Sequence, residues 1–210
     1  MFRIRIQNKK KCIWYISAAI SFLLFLILLG WTNHLANAQD AQRMAWRWSE
    51  NKDAAQVSCF FSPKAEVTED TIKNFEYSLK NVLQEASITE TSENPSARLW
   101  VDAYSADGKI TLVNGKNTLD ANAIGIGGDF FLFHPLKLIT GSYFSGNDLM
   151  QDYCIIDQDA AWQLFGSNDV VGMTVYIGNV PHIVAGVVRR PDSRMDKAAG
   201  LDSTVVYVSY

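Results

Sequence analysis

Acidic residues are missing from the first 39 positions of this 210-residue chain, while Arg3, Arg5, Lys9, Lys10 and Lys11 crowd its start. Histidine is scarce (His34, His134, His182), and no two of the three stand at metal-ligand spacing. Proline occurs five times and cysteine three, too few cysteines for a disulfide scaffold. A Gly-x-x-x-x-Gly-Lys-Ser/Thr phosphate loop is lacking, which excludes an ATP site of that kind, and so is the Gly-x-Ser-x-Gly elbow of a hydrolase nucleophile. A net charge of −3 and a basic face confined to the N-terminus exclude general nucleic-acid binding, which needs clustered cations to displace counterions.

One long apolar run is present. Ile13 to Trp31 carries no charged side chain, and as a helix it reaches about 28 Å, close to the ~30 Å hydrocarbon thickness of a bilayer. Trp14, Tyr15 and Trp31 flank it as headgroup-level aromatics. The basic cluster predicts a cytoplasmic N-terminus by the positive-inside rule, so residues 1–12 are read as a cytoplasmic tail, 13–31 as a transmembrane helix and the remainder as extracytoplasmic. The rival reading is a cleaved secretory signal ending at Ala36-Asn37-Ala38, but the run exceeds a signal core in length. Beyond it the charge reverses: fourteen basic residues face all 22 acidic ones.

Residues 32–53 lack glycine and proline and are predicted to extend the helix as a stalk. Ala54 to Phe61 reads as a strand stopped by Ser62-Pro63, and Thr68 as the N-cap of an amphipathic helix carrying Ile72, Phe75, Leu79, Val82 and Leu83. Asp107-Gly108 is read as a hairpin turn between Ala97–Tyr104 and Lys109–Val113, with Asn114-Gly115 as a second turn before Leu119–Ile126. Further strands are expected at Tyr153–Ile156, Met173–Ile177, His182–Val188 and Thr204–Tyr210, with a helix over Gln158–Phe165 capped by Asp157. The expectation is an α+β fold: one transmembrane helix, then a two-lobed extracytoplasmic mixed α/β domain over 54–210. The amphipathic helix would cover a sheet shared by Val57–Phe61 and Val184–Val188, making roughly 97–178 an inserted lobe.

Candidate sites are sparse. Gly125-Ile126-Gly127-Gly128 lacks dinucleotide-fingerprint spacing and reads as a turn or a close backbone approach. Asp157-Gln158-Asp159 lacks the rest of a calcium loop, and Arg189-Arg190-Pro191 with Arg194 reads as a solvated turn, an acidic partner being the minority view. Among Cys12, Cys59 and Cys154, only the last two share a compartment; a disulfide between them and two simply buried thiols are both open.

The order Gly128-Asp129-Phe130-Phe131, Leu138 to Gly141 and on to Phe144, Cys154 to Asp157, Ala160 to Phe165 and Gly166, Val171-Gly172-Met173-Thr174-Val175 and Val184-Ala185-Gly186-Val187-Val188 resembles the MacB-like periplasmic core domain of ABC-transporter permeases of the macrolide-export and lipoprotein-release kind. The resemblance implies structural roles for Asp129, Phe130, Phe131, Gly141, Phe165, Gly166, Gly172 and Gly186, and no catalytic residue or cofactor. It implies a non-catalytic permease component at the cell membrane, with a separate ABC ATPase, other permease chains and the lipid bilayer as partners and no nucleic acid. Because the family's three later membrane helices are not in the sequence, the expectation is a permease piece ending after its outer domain. The alternative is a membrane-anchored binding or scaffold module without transport; a secreted hydrolase is a third reading.

Overall fold

A computed structural model describes residues 2–37, 43–48, 54–88, 98–145, 148, 150–190, 197–198 and 203–210, and within the first helix the side chains of 11–35. The chain divides into two units, Met1–Gln56 and Val57–Tyr210.

The first unit is dominated by α1, Phe2–Asn37. Its stretch Lys11–Leu35 is long and apolar enough to cross a membrane, and none of it is buried within the protein. Helix and expected span therefore agree. The predicted stalk is realised only in part: α1 runs on to Asn37, and α2 occupies Met44–Trp48, while 38–42 and 49–53 lie outside the described residues. Arg43 lies over the Trp46 ring, 5.2 Å from its centroid.

The second unit begins with an irregular extended segment. Ser62 caps a 3-10 turn over Pro63–Ala65, and α3 follows at Glu69–Glu85, with Thr68 accepting from the Thr71 amide as its N-cap. Seven strands come next: β1 (Ala103–Asn114), β2 (Asn117–Gly128), β3 (Lys137–Gly141), β4 (Tyr153–Asp157), β5 (Thr174–Ile177), β6 (Val180–Arg189) and β7 (Val205–Ser209). Two short helices interrupt them, α4 at Phe130–Phe133 and α5 at Gln158–Phe165.

All seven strands form one sheet in the order β3-β6-β4-β7-β2-β1-β5. A further β5–β6 pairing closes the run from β6 to β5 on itself, leaving β3 outside the ring. β6 makes this possible because its first residues pair β5 while its later ones pair β4 and β3. Closure protects strand edges that would otherwise offer unpaired backbone groups.

Strand alternation sends neighbouring residues to opposite faces. Ile156, Val187 and Val206 join Leu112, Cys154 and Val184 beneath the Ala160, Ala161 and Leu164 face of α5. Ile155, Val188 and Tyr207 join Ile126, Phe130 and Phe144 on the other face. Burial on both faces explains why β4 and β7 read as unbroken apolar runs. Each fully buried Ile, Leu or Val contributes about 1.5–3 kcal/mol.

Four expectations need correction. Ala54–Phe61 forms no strand: among the described residues it finds no neighbour to pair with, and Phe60 is 91% exposed. Asp107-Gly108 lies inside β1, where Gly108 pairs Ala123; the turn is Gly115-Lys116, with Gly115 at φ 61 between the paired Asn114 and Asn117. The segment 97–178 is no separate lobe, since β1 to β5 share a sheet with β6 and β7. Finally, α3 does not cover that sheet: it has no fully buried residue, and Phe75 is 64% exposed.

Candidate functional site

The residues singled out by sequence fall into two structural groups. Phe130 is buried against the edge of the Phe131 ring and the Tyr207 ring, and stacks on His134. Half-buried Phe131 stacks on Tyr143, whose hydroxyl donates to the Leu136 carbonyl, and meets Phe144 edge-on. Burial pushes the Tyr207 phenol up to about 12, with the Asp157 charge adding to the effect. The second group surrounds β6 and α5. Gly141 pairs Gly186 across the β3–β6 ladder, and the Gly172 amide donates to Val184 O at 2.8 Å. Phe165 packs partly buried on the core beside the α5 end, and Gly166 closes α5 at φ 72, its amide returning to Trp162 O at 2.9 Å. The two groups are not gathered into one pocket.

The glycine cluster at the end of β2 is explained by close approach. A Cβ on Gly127 would fall 2.0 Å from the Tyr104 ring. Gly128, at φ 61, brings its backbone against the Asp102 carbonyl, where a Cβ would lie 2.5 Å away. The Asp129 amide then donates to that same carbonyl at 2.8 Å. Asp129 takes both arms of the Arg98 guanidinium, at 2.6 and 3.2 Å, and this pairing raises the Arg98 pKa above its ordinary value.

A second ionic centre holds the strands to α5. Asp157, 1% exposed, accepts from the Ala160 amide (2.7 Å), the Val205 amide (2.9 Å) and Arg190 Nε and Nη2 (3.0 and 2.7 Å). Arg190 also reaches Asp159 at 3.0 Å and Thr204 Oγ1 at 3.3 Å. The Asp157 cap was legible in the sequence; the solvated-turn reading of Arg190 is corrected, because the acidic partner is the chain itself. Arg194 lies outside the described residues.

The third centre was missed. Glu76 on α3 and Asp102 ahead of β1 are close enough for each carboxyl to influence the proton affinity of the other. Asp102 Oδ2 is shielded from solvent and receives no donor. Burial first, then the neighbouring carboxyl, raises Glu76 above the usual carboxylate range; burial is also the largest cause of the rise at Asp102. One signal was present in the sequence: Glu76 sits between Ile72 and Leu79 on the apolar stripe of its helix.

Cys59 is exposed and Cys154 is buried, and both are free thiols, so the disulfide alternative is corrected. Burial pushes the Cys154 thiol up to about 12. An open groove of about 450 Å³ runs over β1, β2 and Ser203–Thr204. Four of its polar side chains pair with one another, Thr111 to Asp120 at 2.7 Å and Asn122 to Ser203 at 2.6 Å. Among the described residues no group of three or more His, Cys, Asp or Glu is placed to hold a metal ion.

The profile of the MacB-like periplasmic core domain matches residues 26–210. The chain belongs to that family. Its MacB-like domain is 30% identical over 83 residues to the macrolide export ATP-binding/permease protein MacB of Pasteurella multocida, covering 39% of this chain and 13% of that protein. The corresponding figures for MacB of Chromobacterium violaceum are 32% over 94 residues, 44% and 14%. The chain thus matches about a seventh of the length of these relatives. Among solved structures, the periplasmic region of MacB from Actinobacillus actinomycetemcomitans is similar at 26% identity and TM-score 0.42, covering 55% of this chain and 51% of that one. The extracellular domain of the transporter YknZ from Gram-positive bacteria gives 24% and 0.42, with coverage of 51% and 52%. The family match begins at residue 26, inside the apolar Lys11–Leu35 stretch of α1, and runs on to residue 210.

Proposed function

We propose that this chain is the extracytoplasmic part of an ABC-transporter permease, itself non-catalytic, which couples a partner ATPase to the handling of substrates or partner proteins outside the membrane. The observation that carries the reading is the union, in one chain, of the apolar Lys11–Leu35 helix with a MacB-like periplasmic core domain. Movement of such a helix has a direct covalent route to the outer domain. The basic residues before position 12 orient the N-terminus toward the cytoplasm and the domain outward. No chemistry is assigned to the ionic centres, because Asp157, Arg190, Arg98 and Asp129 are held in structural pairs.

The test is isolation of the tagged full chain from crosslinked membranes. An ABC ATPase subunit and further permease chains are expected to accompany it, and its outer domain to change maleimide accessibility at Cys59 when ATP is hydrolysed. A chain recovered with neither partner, and indifferent to ATP, would support the membrane-anchored scaffold instead. Orientation is read separately, from whether Cys12 reacts with an impermeant maleimide only after the membrane is opened.

A further inference from the structure

Two of the chain's six tryptophans, Trp46 and Trp48, fall in α2, shortly beyond the end of α1. Helix α2 belongs to the same compact unit as α1, and one side of it is covered: Met44 and Ala45 are buried, and the Ala45 amide donates to Gln56 Oε1 at 3.2 Å. Two positions along a helix turn a side chain by about 200°, so Trp46 stands away from Met44, and it is 51% exposed. Trp48, four positions after Met44, shares the Met44 side and is less exposed. Arg43 lies over the Trp46 ring, 5.2 Å from its centroid, and exposed Arg47 follows Trp46 in the chain.

The end of α1 limits how far this patch can stand from a bilayer. Among the described side chains of α1, Lys11 to His34 are all exposed and Leu35 is half-buried, so cover within the protein begins where the apolar stretch ends. With Trp31 at headgroup level, Asn37 lies about 9 Å further out, and the headgroup layer is itself about 5–7 Å deep. The six chain steps from Asn37 to Arg43 span at most about 20 Å, enough to return α2 to that layer. An indole ring suits such a depth, because its apolar body and its N–H are both satisfied there. Arginine suits it too, since the guanidinium bonds phosphate oxygens with two arms. Net charge adds no pull: residues 38–53 set Arg43, Arg47 and Lys52 against Asp40, Glu50 and Asp53. The attraction is therefore short-range, and a phospholipid without net charge satisfies it.

We propose that α2 is an interfacial anchor, in which Trp46, flanked by Arg43 and Arg47, seats in the phospholipid headgroup layer on the C-terminal side of the α1 span. The buried Met44–Ala45 side holds α2 to its unit while the Trp46 side meets lipid. A bilayer is the occupant because a spanning α1 brings that surface within reach of α2 by the length of chain between them. The inference rests on the reading of α1 as a membrane span. Its consequence is mechanical: the chain after Trp48 starts from a point pinned at the membrane surface, and not from a freely swinging stalk.

Fluorescence of full chains that keep a single tryptophan, the other five changed to Phe, tests this in phosphatidylcholine nanodiscs with and without lipid brominated near the top of its acyl chains. Trp46 is expected to be quenched by the brominated lipid as Trp31 is. It should also be on the order of tenfold less accessible to iodide than Trp162, which is 55% exposed on α5. The single change W46F in the otherwise unaltered chain gives the same reading by difference, should the multiple variants fold poorly. Iodide quenching of Trp46 equal to that of Trp162 would overturn the anchor, because the ring is then solvated. Shielding from iodide without quenching by brominated lipid would overturn it as well, because protein then covers the ring. Trp31 reports the span separately. If Trp31 is quenched by lipid and Trp46 is not, the anchor alone fails; if Trp31 also escapes, the membrane reading fails with it.

Discussion

The β1–β7 sheet and the segment from Val57 to Glu85 carry the same kind of sequence signal, alternating or periodic apolar residues, yet only the sheet converts it into burial. Ile155 and Ile156 disappear completely, one into each face, whereas Phe60, Phe61, Phe75 and Val82 stay exposed. The difference is closure. Each strand of the ring has two hydrogen-bonded neighbours and a covered face, while the leading segment has one helix, no strand and no second layer. An apolar pattern states which side of an element wants cover; whether cover exists is decided by other parts of the chain.

Substitutions in the two regions should therefore differ in scale, and the sharpest contrast comes from the ionic centre of the sheet. Asp157→Ala removes the acceptor of two backbone amides and takes from Arg190, whose side chain is 18% exposed, its buried carboxylate partner. Breaking a buried pair from one side costs about 3–5 kcal/mol, enough to consume much of a domain's stability. Chemical denaturation of the detergent-solubilised chain measures it; a loss below about 1 kcal/mol would mean that the centre is solvated and that the ring does not depend on it. Leu164→Ala comes next. It opens a cavity where α5 meets the sheet, at about 2–5 kcal/mol, and the same titration reads it.

The cap of α3 lies lower on the scale. Thr68→Ala deletes the side-chain acceptor of the Thr71 amide, at a cost of about 1 kcal/mol to the helix. Because α3 is thinly attached, that loss should appear as faster exchange in its first turn with little change in the unfolding midpoint of the sheet. A global shift as large as that of Leu164→Ala would show the two regions to be one cooperative unit, and the comparison would fail.

Local features were legible and distant ones were not. The bounds of α5, its Asp157 cap and its Gly166 stop follow from short-range chemistry that a sequence displays directly. The Thr68 cap and the strands β4 to β7 were readable on the same grounds. Arg190 was misread because its partner stands 33 positions upstream, and nothing in a run of basic residues names that partner. Asp107-Gly108 has the composition of a turn, but twelve consecutive cross-strand pairs outweigh a local preference. Ala54–Phe61 has the composition of a strand, and among the described residues no strand pairs with it. The Glu76–Asp102 pair needed both a helix face and the conformation of residues 98–102, which no periodicity encodes.

The smallest effect is the most discriminating. Phe75 was expected at the heart of a helix-on-sheet core, where truncation to Ala would cost about 3–5 kcal/mol. With 64% of the residue exposed, little area leaves water on folding, and the cost of Phe75→Ala in this chain should lie within about 0.5 kcal/mol, as for an ordinary surface position. Measured beside Leu164→Ala in the same denaturation series, the ratio of the two values reports directly how unequally the regions are packed. If association with a partner then makes Phe75→Ala costly, with binding weakened by more than about tenfold, the exposed side of α3 is covered in the assembly. If Phe75→Ala is already as destabilising as Leu164→Ala in the isolated chain, α3 is packed in solution and the contrast between the two regions collapses.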